Sequence, residues 1–285
     1  MKNYRLFLLM LPFSAISAIC FTPTAKTNIV DGIAKKSLSV KAISTGGNSE
    51  KCVNVQVKNI SSQPLEVAIP AGTLFNTDND DKQDILVTEP SVMMVQAGKS
   101  VTMPAFGFCC QANNGVPSVG ETFHVEKCKD ANLVALANHI QSNNYDPMLQ
   151  QHAIWAVSDH HSIGGIFSED KKQCEDLRKF TADLTHQEMP FYTVDYGYEA
   201  NTPFVFAPKT LAGNMSYFVP STGKATLCIY DPQGSPFVLF YENKHMSDGF
   251  YTQRFRYTAT GMAAGDYRVR LTVDDKLVCE KVITL

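Results

Sequence analysis

The chain has 285 residues, of which 44% are hydrophobic and 19% are charged, and its formal net charge at pH 7 is −3. This length predicts two globular domains, and the slightly acidic balance argues against a nucleic-acid-binding surface. Beyond the N-terminal segment, no apolar run reaches the length of a membrane-spanning helix.

The N-terminus has the pattern of a secretory signal peptide. Two basic side chains lie within Met1–Arg5, and Leu6–Ala18 is almost wholly apolar. This apolar run is too short to span a bilayer comfortably. We therefore expect residues 1–20 to be a signal peptide and the mature protein to be secreted, at the cell surface or periplasmic. Cys20 is then either removed or becomes a lipidated first residue, and the sequence leaves both open.

Short strands are predicted after this segment. Residues 21–35 are rich in Thr, Lys and Ala and predict a disordered leader. Alternating apolar residues, separated by turn residues, then favour an N-terminal β-sandwich over residues 36–129. Its predicted strands are Ser37–Ile43, Cys52–Val57, Leu65–Ile69, Ile85–Thr88, Val92–Val95 and Ser100–Phe108.

Helical spacing replaces alternation over residues 130–199. Ala131–Gln141 has apolar residues at helical intervals. Asp146 followed by Pro147 is a strong helix start, and we expect that helix to end near Ser158. A third helix is predicted to begin with Ser168 as its cap. These three helices would form a subdomain packed on the first sandwich.

The remaining residues, 200–285, return to a strand pattern. About seven short strands in roughly 80 residues fit an immunoglobulin-like sandwich, with Asp274-Asp275 at the tip of the last hairpin. The predicted strands are Phe204–Phe206, Met215–Val219, Ala225–Tyr230, Phe237–Tyr241, Tyr251–Tyr257, Tyr267–Val273 and Leu277–Ile283. The predicted fold is thus mainly β with an α subdomain: two β-sandwich domains separated by a helical block of about three helices.

The C-terminal region carries a family resemblance. The segments Thr226–Ser235, Gly265–Leu271 and Lys281–Leu285 resemble the C-terminal sorting domain of bacterial type IX secretion and the Ig-like domain of flagellar hook-capping proteins. The resemblance implies an Ig-like sandwich. Whether that domain sorts the protein or serves only as an accessory module stays open.

Eight cysteines raise the question of disulfides, since an exported protein meets an oxidising compartment. Cys228 and Cys279 both lie in predicted strands of the C-terminal domain, so we predict a bridge between them; two unpaired buried thiols are the alternative. Pairing among the other cysteines is left undetermined by the sequence. These are Cys52, Cys109, Cys110, Cys128 and Cys174.

A second resemblance involves two short motifs. Phe108-Cys109 ends a predicted strand, and the segment from Gln151 to Trp155 (QHAIW) lies on a predicted helix. Together they resemble the thioester domains of bacterial surface adhesins, in which a cysteine attacks a glutamine amide and ammonia leaves. The resemblance implies that Cys109 and Gln151 form a thioester, that Trp155 shields it from water, and that an amine can open it. Alternatively, Ala153–Trp155 is simply the buried face of a core helix.

Two further groups of residues have side chains of the types that bind metal ions. Asp78, Asp80 and Asp84 lie in an acidic loop whose oxygens suit Ca²⁺, and a solvated loop without a metal is the alternative. His160-His161 would need further ligands to hold Zn²⁺. We expect no cofactor.

These features favour an exported bacterial cell-surface or periplasmic protein that acts by binding or adhesion, without enzymatic turnover. Its expected partner is a surface protein or glycan that the sequence does not identify. The first alternative is a secreted hydrolase that depends on a metal or on Cys109, with His160 and His161 nearby. The second is a structural component of an envelope assembly.

Overall fold

The computed structural model describes residues 25–197 and 201–285, and this part of the chain is mainly β with four helices. The predicted signal peptide, residues 1–20, lies outside the described residues. Among the described helices, none combines the length and the apolar character needed to cross a bilayer.

The N-terminal half is built around a closed barrel. Its elements are β1 (Ala25–Asn28), α1 (Ile29–Ala34), β2 (Leu38–Ser44), β3 (Ser49–Asn59), β4 (Leu65–Ile69), β5 (Thr73–Asn76), β6 (Ile85–Glu89), β7 (Ser91–Val95), β8 (Ser100–Cys109) and β9 (Thr122–Lys127). Six strands close in the order β2-β3-β8-β6-β5-β9. Ala42 of β2 lies opposite both Val55 of β3 and Phe123 of β9, which joins the two ends of the sheet. The barrel corrects the predicted N-terminal β-sandwich, because both architectures share the same alternation of buried and exposed residues.

A small second sheet lies beside the barrel in the order β1-β4-β7. β1 pairs in parallel with β4, and Ile29 at the start of α1 is fully buried in the barrel's core cluster. The Asn28 side chain accepts a hydrogen bond from the Val30 amide and caps α1. The prediction of a disordered leader over residues 21–35 is therefore wrong for residues 25–35, because strand pairing and apolar burial order them.

Three helices follow the barrel. They are α2 (Ala131–Gln141), α3 (Pro147–Ser158) and α4 (Lys171–Thr185), with a 3₁₀ turn at Ile163–Gly165 before α4. Each begins at an aspartate whose carboxylate accepts backbone N–H groups: Asp130, Asp146 and Asp170. The cap of α4 is thus Asp170 rather than the predicted Ser168. The three helices share a second core cluster, which also includes Phe108.

The C-terminal half contains two antiparallel sheets. Its strands are β10 (Tyr192–Asp195), β11 (Thr210–Val219), β12 (Gly223–Tyr230), β13 (Pro236–Met246), β14 (Gly249–Thr258), β15 (Asp266–Val273) and β16 (Lys276–Thr284). The sheets have the orders β10-β11-β14 and β13-β12-β15-β16, and their buried residues form one cluster. β10 falls within residues 130–199, which were predicted to be helical. Phe204–Phe206, predicted as a strand, is irregular.

The predicted Cys228–Cys279 disulfide is not formed, since both residues are free cysteines. Cys228 lies on β12 opposite Arg270 of β15, and Cys279 lies on β16 opposite Leu271 of β15. β15 therefore separates the two cysteines. Strands in a sheet are about 4.8 Å apart, so Cα atoms two strands apart are roughly 9–10 Å apart, beyond the reach of a disulfide. The other described cysteines are also free.

Candidate functional site

The barrel and the helices meet at Cys109, the last residue of β8. Its backbone N–H donates to the Asn48 carbonyl at 2.9 Å, which fixes the end of the strand. Helix α3 begins at Asp146, whose side chain accepts from the Met148 amide at 2.9 Å. The helix then carries Gln151 onto the end of β8. The end of β8 thus places Cys109, and the start of α3 places Gln151, at the same point of the interface between the barrel and the helices.

Cys109 and Gln151 make two contacts with each other. The Cys109 Sγ lies 3.5 Å from the Gln151 Oε1, and the Gln151 Nε2 donates to the Cys109 backbone carbonyl at 2.9 Å. The second bond fixes the plane of the amide while the first places its carbonyl against the thiol. Relative exposures of 0% for Cys109 and 1% for Gln151 show that the pair is closed to solvent.

Trp155 lies on the same face of α3 as Gln151 and also contacts the Cys109 thiol. Its indole Nε1–H donates to the Cys109 Sγ at 3.2 Å, and its relative exposure is 2%. Residues four positions apart are neighbours on a helix, so Trp155 lies one turn beyond Gln151. Burial raises the pKa of the Cys109 thiol, and the hydrogen bond from Trp155 opposes that rise. The indole N–H is therefore placed to stabilise negative charge on the sulfur.

A short segment from the start of the C-terminal half covers this site. We call residues 201–204 the covering segment. The Asn48 Nδ2 donates to the Thr202 carbonyl at 2.9 Å and lies 3.8 Å from the Cys109 Sγ. The Asn201 Oδ1 accepts from the Asn48 backbone N–H at 3.2 Å. Asn48 thus touches both the thiol and the segment that lies over it.

The cover is aromatic. The Phe204 ring is 5.5 Å from the Trp155 ring and 4.6 Å from the His161 ring, measured between centroids. The Phe204 N–H donates to the Ala112 carbonyl at 3.0 Å, which fixes the segment on the barrel. A cleft of about 370 Å³ lies outside this cover, lined by residues that include Trp155, Tyr196 and Phe204. Trp155, which donates to the Cys109 sulfur, thus also lines this cleft.

The histidines do not form a catalytic pair with Cys109. Among the described residues, the polar side chains in contact with the thiol are Asn48, Gln151 and Trp155. Burial lowers the pKa of His161 and lowers that of His152 to about 4. A raised thiol pKa without a contacting imidazole is the reverse of an activated cysteine in a Cys–His hydrolase.

Two of the three candidate calcium ligands, Asp78 and Asp84, make other side-chain contacts. Asp78 pairs with His124 at 2.9 Å. The two carboxylate oxygens of Asp84 accept from the Thr77 amide at 2.8 Å and from the Gln111 side chain at 2.9 Å. Within the described ranges, no group of three or more His, Cys, Asp or Glu side chains is placed to hold a metal ion. Asp80, the third candidate for calcium, and the His160-His161 pair therefore belong to no such group.

Cys110 follows Cys109 directly, yet the two thiols lie in different surroundings. Cys109 belongs to the barrel's core cluster, whereas Cys110 packs in the helical cluster with Phe108 and Cys128. Successive residues of an extended chain point to opposite sides, which separates the two sulfurs.

Sequence reasoning found Cys109, Gln151 and Trp155 through their motifs but missed Asn48 and Phe204. Asn48 lies in a turn between two strands, and Phe204 was assigned to a strand. Neither has a local pattern that links it to the thiol, because both reach it only through long-range packing. The adjacent glycines Gly46 and Gly47 were the one available signal of close backbone approach: a Cβ on Gly47 would lie 2.4 Å from the Asn201 Oδ1.

The chain was compared with family models, curated proteins and solved structures, and it matches none of them.

Proposed function

We propose that Cys109 and Gln151 form an internal thioester and that the protein uses it to attach covalently to an amine on a surface partner. The observation that carries the proposal is the 3.5 Å contact between the Cys109 Sγ and the Gln151 Oε1 in a buried site. Proximity of this kind converts a bimolecular acyl transfer into an intramolecular one, which is its main source of rate.

Formation of the thioester balances without any added reactant, and its opening needs only the amine of the partner. The sulfur of Cys109 bonds to the side-chain carbonyl carbon of Gln151, the C–N bond of the amide breaks, and the thiol proton leaves with the nitrogen as ammonia. An amine later attacks the same carbon, an amide forms, and the thiol of Cys109 is regenerated. The Trp155 N–H stabilises sulfur charge in both steps.

Burial supports storage of such a bond. A thioester in contact with water hydrolyses, so a useful one must be shielded until its partner arrives. The exposures of the pair are near zero, and Trp155 and Phe204 lie over it. The reaction consumes the acyl group, so the protein would act once, as an adhesion or binding protein without turnover.

The N-terminal sequence supports export of this protein to the cell surface or periplasm. We propose in addition that the two sheets of the C-terminal half, with β10 included, form an Ig-like sandwich that presents the barrel to its partner. Their shared core cluster supports a sandwich of two sheets.

The test is the intact mass of the purified mature protein under denaturing, non-reducing conditions. We expect about 17 Da less than the sequence mass, since one ammonia is lost. Treatment with methylamine should raise the mass to about 14 Da above the sequence mass and release one thiol for alkylation. The variants Cys109→Ser and Gln151→Ala should both lack the deficit.

The matched control is Cys110→Ala, which removes a neighbouring thiol that is also buried. It should keep the full deficit. A wild-type protein with its sequence mass and an alkylatable Cys109 would overturn the proposal, as would a deficit that persists in Gln151→Ala.

A further inference from the structure

A second cleft lies away from Cys109, between helix α4 and the outer face of the β10-β11-β14 sheet. Its volume is about 650 Å³, and we call it the α4 cleft. One wall is the face of α4 that carries Lys171, Cys174 and Arg178, which are spaced by three and four residues. This volume is within the range of sites for small ligands.

The register of the sheet places two arginines on the opposite wall. Arg254 of β14 lies opposite Asn214 of β11, and Arg256 lies opposite Ala212. Phe255 between them points into the core and is buried, so the two arginines face outward. The small side chain of Ala212 leaves room between these charges and α4.

Arg178 is the unusual member of this group. Its relative exposure is 8%, and its Nη2 donates to the carbonyls of Pro190 and Tyr192. Its Nε is buried and has no hydrogen-bond partner. Among the described residues no carboxylate lies within ion-pair distance of it. Glu175 acts on the guanidinium only from beyond ion-pair distance. A buried guanidinium with no carboxylate in direct contact is costly, and a bound anion would compensate it.

The side chains that line the cleft carry an excess of positive charge. Four cations line it, and the two carboxylates that also line it, Glu175 and Asp195, form no ion pair in the described part of the chain. The cations are Lys171, Arg178, Arg254 and Arg256. This local excess of positive charge contrasts with the net charge of −3 for the whole chain. Burial lowers the pKa of Arg178, and the neighbouring Cys174, Tyr192 and Glu175 side chains oppose that shift without cancelling it.

We propose that the α4 cleft is a binding site for a small organic carboxylate with an apolar body. Guanidinium groups bind carboxylates through paired, charge-assisted hydrogen bonds. Phe167 and Phe191 line the same cleft and give the apolar part of the ligand a surface to pack on. None of the described side-chain hydrogen bonds of Cys109 and Gln151 involves a residue that lines the α4 cleft.

The test uses 3-phenylpropionate as the probe and its neutral amide, 3-phenylpropanamide, as the matched ligand. Binding to the full mature chain is followed by NMR chemical-shift titration at low salt. We expect the carboxylate to bind saturably with a millimolar Kd and the amide to bind at least about tenfold more weakly. The perturbed resonances should map to α4 and β14.

The variant Arg254→Gln/Arg256→Gln should weaken carboxylate binding by about tenfold or more and leave amide binding unchanged. Arg178 stays intact in this variant because it holds two backbone carbonyls. The control variant, Lys58→Gln/Lys99→Gln, removes two exposed charges from the barrel and should bind as the wild type does. Equal binding of acid and amide, no saturable binding of the acid, or equal losses in both variants would each overturn the proposal. None of these results bears on the thioester mass.

Discussion

The Cys109 sulfur and the Gln151 side-chain oxygen lie 3.5 Å apart, although 42 positions separate the residues in sequence. The first residue ends a barrel strand, and the second lies in a helix that packs on it. A bond between them would therefore join two secondary-structure elements inside the core. This relationship makes the chemistry testable through stability as well as through mass.

Opening the thioester with methylamine should destabilise the fold. A cross-link between Cys109 and Gln151 closes a loop of 42 residues, which corresponds to about 4 kcal/mol of stabilisation in the loop-entropy treatment of cross-links. The free energy of unfolding, measured in urea, should fall by up to that amount after treatment. The Gln151→Ala variant has no link to break, so methylamine should not shift its midpoint. An equal shift in both proteins would show that methylamine acts elsewhere.

Removing the aromatic cover should speed the reaction with amines. Phe204→Ser takes away the ring that packs on Trp155 and His161, while the backbone bond to Ala112 remains. We expect the rate of methylamine adduct formation, followed by mass, to rise several-fold because the pair becomes accessible. Val205→Ser is the control, since Val205 is already 66% exposed. A rate unchanged by Phe204→Ser would contradict a covering role.

Acid should destabilise the protein through His152. Burial holds its pKa at about 4 in the folded state, against about 6.5 in the unfolded chain. The unfolded chain therefore binds the proton first as pH falls. The contribution is complete above pH 6.5 and decreases between about pH 6.5 and 4, by roughly 3 kcal/mol in total.

Urea unfolding of wild type and His152→Gln at several pH values measures this contribution. The difference in unfolding free energy between the two proteins should shrink as pH falls through that window. The matched variant His160→Gln removes an exposed imidazole from the segment that follows the same helix and serves as the control. A constant difference between wild type and His152→Gln would show that His152 does not titrate differently in the two states.

The C-terminal half should be insensitive to reducing agents. Because β15 lies between Cys228 and Cys279, neither can reach the other without breaking the sheet. Non-reducing peptide mapping should recover both as free thiols. Cys279 is half-buried against the core, so Cys279→Ala loses only the packing of one thiol, and its difference in unfolding free energy from the wild type should be the same under oxidising and reducing conditions. A mapped Cys228–Cys279 peptide would contradict the strand order.

Much of the local structure could be predicted from the sequence. The bounds of α2, Ala131–Gln141, match the predicted helix, and Asp146-Pro147 starts α3. The last hairpin turns at Asp274-Asp275, where both residues have positive φ angles of 46° and 62°. Caps, turns and hydrophobic period act over a few residues, so the sequence displays them directly.

Long-range pairing could not be predicted in the same way. The alternation that predicts β2 is equally compatible with a sandwich or a barrel, and β9, which closes the barrel, was not recognised as a strand. Cys228 and Cys279 both lie in strands as predicted, yet only the order of the strands shows that they are not neighbours. Closure of the barrel and the order of the strands both depend on which distant segments pair in the folded chain.

For the candidate site, the sequence by itself determined the reactive residue types, a cysteine after an aromatic residue and a glutamine one helical turn before Trp155. The tertiary structure alone decided that Cys109 and Gln151 meet, that Asn48 bridges the thiol and Thr202, and that Phe204 covers the pair. The physical reason is the distance along the chain over which each property is set. Residue chemistry and helical spacing are local properties, whereas burial and contact depend on the packing of a barrel strand, a helix and a segment some 90 residues beyond that strand.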